Sequence, residues 1–159
     1  CNMETGKINK HIKVFNNKIP SKEYTVSVNK HCIIRDLALL THNIPEDKFI
    51  NLKMQKTDTV RNDSVTILGF PVYGPGSDLH VTKAEIIAKE TKSSVKQLVV
   101  DGLIIEGCSG GPIVDKNHKV VGVAHKGGYN EDNIEKKQIA IAIKELINLK
   151  KDIAILDSP

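Results

Sequence analysis

No stretch of this sequence approaches the roughly 18 to 20 consecutive apolar residues that a membrane-spanning helix needs. No secretory signal-peptide pattern opens the sequence as given, and neither a repeat period nor a low-complexity tract interrupts it. We therefore expect no membrane partner. The 159 residues are one domain's worth of chain and can bury a sizeable core.

Cysteine is scarce, and the sequence holds only Cys1, Cys32 and Cys108. An odd number of cysteines at these spacings predicts neither a disulfide framework nor a zinc site. Such a set fits a reducing compartment better than an oxidising one, and so slightly favours the cytoplasm.

Charge of one sign is not concentrated anywhere in the sequence. The 23 Lys and Arg residues and the 19 Asp and Glu residues give a formal net charge of +4, and they are scattered along the chain. Scattered lysines are typical of a solvated surface, whereas a nucleic-acid interface needs a basic patch. We therefore expect no nucleic-acid partner.

The most informative stretch is the ordered hexapeptide Gly-Cys-Ser-Gly-Gly-Pro at residues 107–112. A serine hydroxyl is a weak nucleophile, so it has to be presented on a tight, exposed turn beside a base and near backbone donors. Glycines on both sides of Ser109 permit such a turn because they lack a β-carbon. Gly-Ser composition alone would favour an ordinary loop, but apolar strand-like segments at 97–101 and 112–115 flank this motif. The pattern therefore favours a nucleophile turn.

The hexapeptide resembles the Gly-x-Ser-Gly-Gly-Pro signature of the trypsin/chymotrypsin-like serine peptidases, including the bacterial HtrA-like branch. The resemblance implies an all-β fold of two β-barrels, with a Ser-His-Asp triad in the cleft between them. It makes Ser109 the catalytic nucleophile and the N–H groups of Gly107 and Ser109 the oxyanion hole. It implies no metal or organic cofactor, and a peptide or protein substrate bound in an extended conformation.

Recurring short strands separated by turn residues agree with an all-β barrel fold. Alternating apolar residues predict strands at 11–15, 24–28 and 80–88, the polar stretch 91–96 predicts a hairpin loop, and apolar residues at helical spacing in 144–151 predict a C-terminal helix. We expect the remainder of an incomplete first β-barrel at 1–58, a second β-barrel at 59–143, and the helix with its tail at 144–159.

Asp36 precedes the segment Leu-Ala-Leu-Leu, and together they resemble the segment that carries the triad aspartate in this family. The implied role is a buried carboxylate that orients the catalytic histidine and stabilises its protonated form. Without the resemblance, the residue would read as a surface aspartate at the start of an apolar strand.

The catalytic histidine is not evident in the sequence. His31 lies only five residues before Asp36, where the family often carries a non-catalytic histidine, and His11 has no family-like neighbours. Cys1 fits the cysteine that follows the catalytic histidine in this family. We therefore expect the sequence to begin just after that histidine and to lack the first strands of the first barrel, with His11 and His31 as the alternatives.

The residues just before Ser109 would line the primary specificity pocket in this family. Leu103 stands where enzymes that cleave after Lys or Arg carry an aspartate, and an apolar residue there would leave a cation buried without a partner. Glu106 would meet the substrate near the cleft mouth, with a solvated glutamate as the alternative. Cys108 replaces the usual Asp or Asn, but the motif orients Ser109, and not the thiol, into the cleft.

The segment from His125 to Gly128 resembles the strand that forms the pocket wall and pairs with the substrate backbone. His125 and Gly127 are accordingly predicted substrate contacts. A satisfied structural histidine is the alternative for His125.

These predictions together describe a serine endopeptidase domain that acts through an acyl-serine intermediate. One alternative is a catalytically inactive homologue that binds extended peptides in the cleft. Another is a fragment of a larger protein whose further domains define its biology.

Overall fold

The computed structural model describes residues 12–46, 49–74, 76–128 and 136–156, with side chains through residue 150. Within these ranges the chain forms nine strands and one helix: β1 Ile12–Asn16, β2 Ile19–Cys32, β3 Leu37–Thr41, β4 Ser64–Gly69, β5 His80–Lys92, β6 Val95–Val100, β7 Pro112–Asp115, β8 Val120–Lys126, β9 Gln138–Ala142 and α1 Ile143–Leu156. The chain divides into two compact units, Cys1–Asn51 and Leu52–Pro159. Each unit is described by itself below.

The first unit contains a three-stranded antiparallel sheet in the order β1-β2-β3. Val26 and Leu37 are the only buried side chains among its described residues. In the described residues the sheet is open and has a small core. A turn at 33–36 separates β2 from β3, and Asp36 is its last residue.

The second unit is a closed barrel of six antiparallel strands in the order β4-β5-β6-β9-β8-β7. In β4 buried and more exposed residues alternate, as expected of a strand with one face toward a core. Side chains from all six strands fill the interior, among them Ile67, Ile86, Leu98, Ile113 and Val121. Each large aliphatic side chain buried there contributes roughly 1.5 to 3 kcal/mol. The predicted all-β barrel with a C-terminal helix is thus confirmed.

The helix α1 begins directly after β9 and packs on β6, β8 and β9. Its residues Ile143 and Leu146 join a small apolar cluster with Val114 and Val120. The strands β6 and β9 are consequently buried along most of their length, and they lack the alternation that marks a strand with one solvated face.

The two compact units meet between Asn51 and Leu52, whereas the sequence predicted a division between two barrels after residue 58. Met54 forms an isolated bridge with Val120, and the N–H of Gln55 donates to the carbonyl oxygen of Val120 at 2.8 Å. Residues just after Asn51 therefore belong with the second unit.

The hairpin loop predicted at 91–96 is shorter in the structure. Strand β5 continues to Lys92 and β6 begins at Val95, so the turn consists of Ser93 and Ser94. Both serines have positive φ angles, 50° and 65°, which suits the twist of a two-residue hairpin turn. The polar composition predicted a loop but not its length, because serine is not the usual residue of a two-residue hairpin turn.

Candidate active site

The hexapeptide forms the end of the connection between β6 and β7, and its two adjacent reactive side chains point in different directions. Ser109 is exposed, whereas Cys108 is only 5% exposed and belongs to the barrel core. A β-carbon at Gly69 would lie 2.9 Å from the Cys108 Sγ atom, so the thiol packs closely against that strand. The structure therefore presents the hydroxyl and conceals the thiol.

Backbone hydrogen bonds hold the turn against β8. The N–H of Gly110 donates to the carbonyl oxygen of Ala124 at 2.8 Å, and the N–H of Ala124 donates to that of Gly111 at 2.9 Å. Within the turn, the N–H of Gly111 donates to the carbonyl oxygen of Cys108 at 2.9 Å. These bonds fix the backbone on both sides of Ser109.

Residue 107 has to be glycine for two reasons. Its φ angle is +92°, a conformation that a side chain disfavours. A β-carbon there would also lie 2.3 Å from the carbonyl oxygen of Phe70. The segment that follows β4 is thus packed directly on the nucleophile turn.

The Ser109 hydroxyl donates a hydrogen bond to the backbone carbonyl oxygen of His125 at 2.9 Å. A backbone carbonyl is not a base, so this contact does not activate the serine. Among the described residues of the second unit, no histidine ring hydrogen-bonds the Ser109 hydroxyl. Within the described part of the second unit, the Ser109 hydroxyl is therefore bound to a backbone carbonyl and not to a base.

The N–H groups of Gly107 and Ser109 make no hydrogen bond to another group within the described ranges. Both residues are exposed. Two unengaged backbone donors on either side of Cys108 are what an oxyanion hole requires.

Asp36 lies in the first unit, at the end of the turn before β3. Its φ angle is +49°, its N–H donates to the carbonyl oxygen of Ile33 at 3.2 Å, and its side chain is exposed in the described structure. His31 is exposed on β2, opposite Ala38 of β3. His11 and Cys1 lie outside the described residues. The triad roles of Asp36 and of any histidine remain predictions.

The predicted substrate-binding residues lie in two backbone segments next to Ser109. Leu103 is half-buried and Glu106 is exposed in the segment that leads into the turn. His125 and Gly127 are half-buried at the end of β8 and just after it. Since the His125 carbonyl oxygen accepts the Ser109 hydrogen bond, the second segment is in direct contact with the nucleophile.

Residues 4–123 match the family model described as the trypsin-like peptidase domain. The chain belongs to the trypsin-like peptidase family. No curated protein matches the chain.

Solved structures share this fold at low sequence identity. The Rv3671c protease of M. tuberculosis in its active form is 20% identical with a TM-score of 0.67, covering 80% of this chain and 58% of that one. The HtrA-type protease AlgW with a decapeptide is 20% identical with a TM-score of 0.70, covering 84% and 41%. A serine endoprotease from Yersinia pestis is 20% identical with a TM-score of 0.64, covering 82% and 44%. The chain thus spans about half the length of these three structures.

In the described part of this trypsin-like chain, the ion pair between Asp58 and Lys144 has a clear electrostatic effect. Lys144 Nζ on α1 lies 2.7 Å from Asp58 Oδ1, and both side chains are partly exposed. The hydrogen bond from Lys144 lowers the pKa of Asp58 below its ordinary value. In the described part of the chain, His, Cys, Asp and Glu side chains form no group of three that could hold a metal ion. Helix α1, the helix of that part, is neither long nor apolar enough to cross a membrane.

Sequence reasoning missed two features beside the predicted site. The first is the segment after β4, where the N–H of Val72 donates to the carbonyl oxygen of Glu106 at 3.2 Å and a β-branched residue adopts a φ angle of +46°. The second is Gln138, a buried polar residue that opens the otherwise apolar strand β9. A glutamine at the start of an apolar run was the signal available for the second, and no pattern signalled the first.

Proposed function

We propose that this domain hydrolyses peptide bonds through an acyl-serine intermediate formed on Ser109. The observation that carries the proposal is the exposed Ser109 hydroxyl on a rigid turn, with the unengaged N–H groups of Gly107 and Ser109 beside it. Membership of the trypsin-like peptidase family supports it. The substrate would be an extended peptide or protein segment.

In the proposed reaction, Ser109 Oγ attacks the scissile carbonyl carbon while its proton passes to an imidazole nitrogen. The negative charge that develops on the carbonyl oxygen is stabilised by the N–H groups of Gly107 and Ser109. The imidazolium then protonates the leaving amine as the C–N bond breaks, and water releases the acid from the serine. Asp36 would orient the imidazole, and His11, His31 and a histidine upstream of Cys1 are the candidates for it.

The test is labelling with a fluorophosphonate, on this chain and on a version extended upstream of Cys1, followed by mass mapping of the modified peptide. We expect the label on Ser109 in whichever form contains the catalytic histidine, loss of labelling in Ser109→Ala, and retained labelling in Cys108→Ala, because the thiol faces the core. His11→Ala and His31→Ala identify the proton acceptor if either abolishes labelling without unfolding the chain. Labelling at any other residue, or no labelling of either form, would contradict the proposal.

A second candidate function is peptide binding without cleavage. The observation that favours it is the hydrogen bond from the Ser109 hydroxyl to the His125 carbonyl oxygen, which leaves the serine without a base in the second unit. One structural neighbour, AlgW, was crystallised with a decapeptide. Calorimetric binding of a decapeptide that mass spectrometry then finds intact, combined with no fluorophosphonate labelling, would favour binding over hydrolysis.

A further inference from the structure

Gln138, the first residue of β9, is a buried polar side chain that makes four hydrogen bonds. It is 2% exposed. Burying an amide costs free energy unless its donors and acceptors are paired. Nothing in the proposed chemistry of Ser109 uses this group, so its presence needs a separate explanation.

The Gln138 carboxamide is fully paired with backbone groups. Its Oε1 accepts the N–H of Ile104 at 2.7 Å and that of Gly128 at 3.1 Å. Its Nε2 donates to the carbonyl oxygens of Lys136 at 2.6 Å and Gly128 at 3.2 Å. Because N–H groups require the amide oxygen and carbonyls require the nitrogen, these partners define the orientation of the amide.

Two of these partners belong to the backbone segments closest to the reactive hydroxyl. Ile104 lies in the connection that leads into the nucleophile turn, and Gly128 follows β8, whose residue His125 accepts the Ser109 hydrogen bond. Under the proposed function, a substrate residue whose carbonyl carbon is attacked by Ser109 lies beside the segment that leads into the turn and the segment that contains His125. The Gln138 amide therefore lies where it can limit the size of the substrate side chain.

The crevice between the two segments is closed at the amide. A β-carbon at Gly127 would lie 1.9 Å from Gln138 Oε1 and 2.7 Å from the carbonyl oxygen of Ile104. One oxygen atom also bridges the N–H groups of Ile104 and Gly128. No space for a large inserted side chain remains between the segments at this point.

We propose that Gln138 determines substrate specificity by closing the crevice between residues 103–108 and 125–128, so that the residue bearing the attacked carbonyl must carry a small side chain such as that of Gly, Ala or Ser. This inference rests on the proposed function of Ser109. It refines the expectation drawn from Leu103, which excluded only basic side chains. Removal of the carboxamide would open the crevice and admit larger side chains.

The experiment measures phosphonylation rates of the full chain by peptidyl diphenyl phosphonates that differ only in the residue next to phosphorus: Ala, Val, Leu or Phe. An Oγ–P bond forms, a P–O bond to phenoxide breaks, and the serine proton leaves with phenol. We expect the wild type to react with the Ala reagent on the order of tenfold faster than with the Phe reagent. In Gln138→Ala this preference should shrink or reverse by a similar factor.

Gln97→Ala is the matched control, because Gln97 is another buried glutamine of the same barrel, 7% exposed on β6. It removes the same volume and amide from a different site, so it should keep the wild-type order of reagents. Loss of stability alone lowers all four rates together and leaves their order unchanged. Equal wild-type rates for Ala and Phe, or an unchanged ratio of the Ala rate to the Phe rate in Gln138→Ala, would overturn the proposal.

A second measurement separates this inference from the proposed function. If neither a phosphonate nor a fluorophosphonate labels Ser109, the hydrolytic function fails, and NMR then tests Gln138 directly. The amide protons of Ile104 and Gly128 should exchange with solvent at least roughly tenfold faster in Gln138→Ala than in wild type or Gln97→Ala. Titration with unreactive peptides should shift the Gly128 amide signal for Ala-containing peptides and not for Phe-containing ones. Equal exchange rates, or equal shifts, would reject the inference.

Discussion

At the scale of single residues, the candidate site depends on backbone groups more than on side chains. In the proposed function, Ser109 supplies the reactive atom, while the N–H groups of Gly107 and Ser109 supply the donors. Gly107 combines a positive φ angle with close contact to Phe70, so it allows the turn to form and to pack on the segment after β4. A substitution there tests whether that packing matters.

Gly107→Ala should destabilise the domain by about 1 to 3 kcal/mol and abolish fluorophosphonate labelling, because the new β-carbon forces the Phe70 carbonyl and the turn apart. The control is Gly76→Ala. Gly76 has a similar φ angle of +89°, but nothing lies within 4 Å of its added β-carbon. Gly76→Ala should therefore lose only the stability that a side chain at a positive φ angle costs, and Ser109 should still be labelled. Chemical denaturation and labelling rates measure both effects, and equal losses in the two variants would contradict the packing argument.

At the scale of elements, the helix α1 supports the strands that carry the site. It packs on β6, β8 and β9, and β8 provides the carbonyl oxygen that contacts Ser109. Glu145, in the first turn of the helix, accepts a hydrogen bond from the N–H of Lys96 at 3.2 Å. The helix is therefore part of the barrel's structure and not an appended tail.

Leu149→Ala should lower the free energy of unfolding by about 2 to 5 kcal/mol, because this side chain is only 1% exposed and its removal leaves a cavity. The neighbouring Lys150 is exposed, so Lys150→Ala should change stability by no more than about 0.5 kcal/mol. Urea denaturation followed by circular dichroism measures both. Similar values for the two variants would show that the helix does not pack as described.

The ion pair between Asp58 and Lys144 should have a small effect that depends on pH. The pKa of Asp58 is lowered in the folded state, so the pair stabilises the fold above the ordinary aspartate pKa. That contribution is lost as pH falls through the lowered value. Because both side chains are partly exposed, we expect Asp58→Asn to shift Tm only slightly at pH 7 and not at all at strongly acidic pH. If the Tm difference between wild type and Asp58→Asn grew as pH fell, the pKa of Asp58 would be raised and not lowered in the folded state.

At the scale of the whole molecule, the two units differ in how much apolar surface they bury. The second unit is a closed barrel without free strand edges, filled by side chains from all six strands. In the described part of the first unit, an open sheet buries two side chains. A closed barrel with a large core resists local opening better than an open sheet with a small one.

Backbone hydrogen-exchange rates should therefore differ between the two units, which meet between Asn51 and Leu52. Backbone amides of β6 and β9 should be the slowest to exchange, and those of β1 to β3 should exchange on the order of a hundredfold or more faster. Mass spectrometry of exchanged peptides measures this directly. Uniform protection across both units would show that the chain unfolds only as a whole.

The sequence alone was sufficient for the fold class and for the exposed turn that carries Ser109. The hexapeptide and its strand-like flanks predicted an exposed serine on a turn, and the spacing in 144–151 predicted α1. The roles of Asp36 and of a histidine could not be derived in the same way, since a triad joins residues far apart in the chain. Gln138 was missed because a glutamine at the start of an apolar run does not show which backbone groups its amide will bind.

Local chemistry thus determined the nucleophile turn, since glycine and serine act on the backbone of their own few residues. Tertiary structure decided what surrounds that turn. Only the pairing of β9 between β6 and β8 brings Gln138 to Ile104 and Gly128, and only barrel closure turns Cys108 into the core. The physical reason is that such contacts depend on strand order and register, which follow from the packing of the whole barrel and not from any one segment.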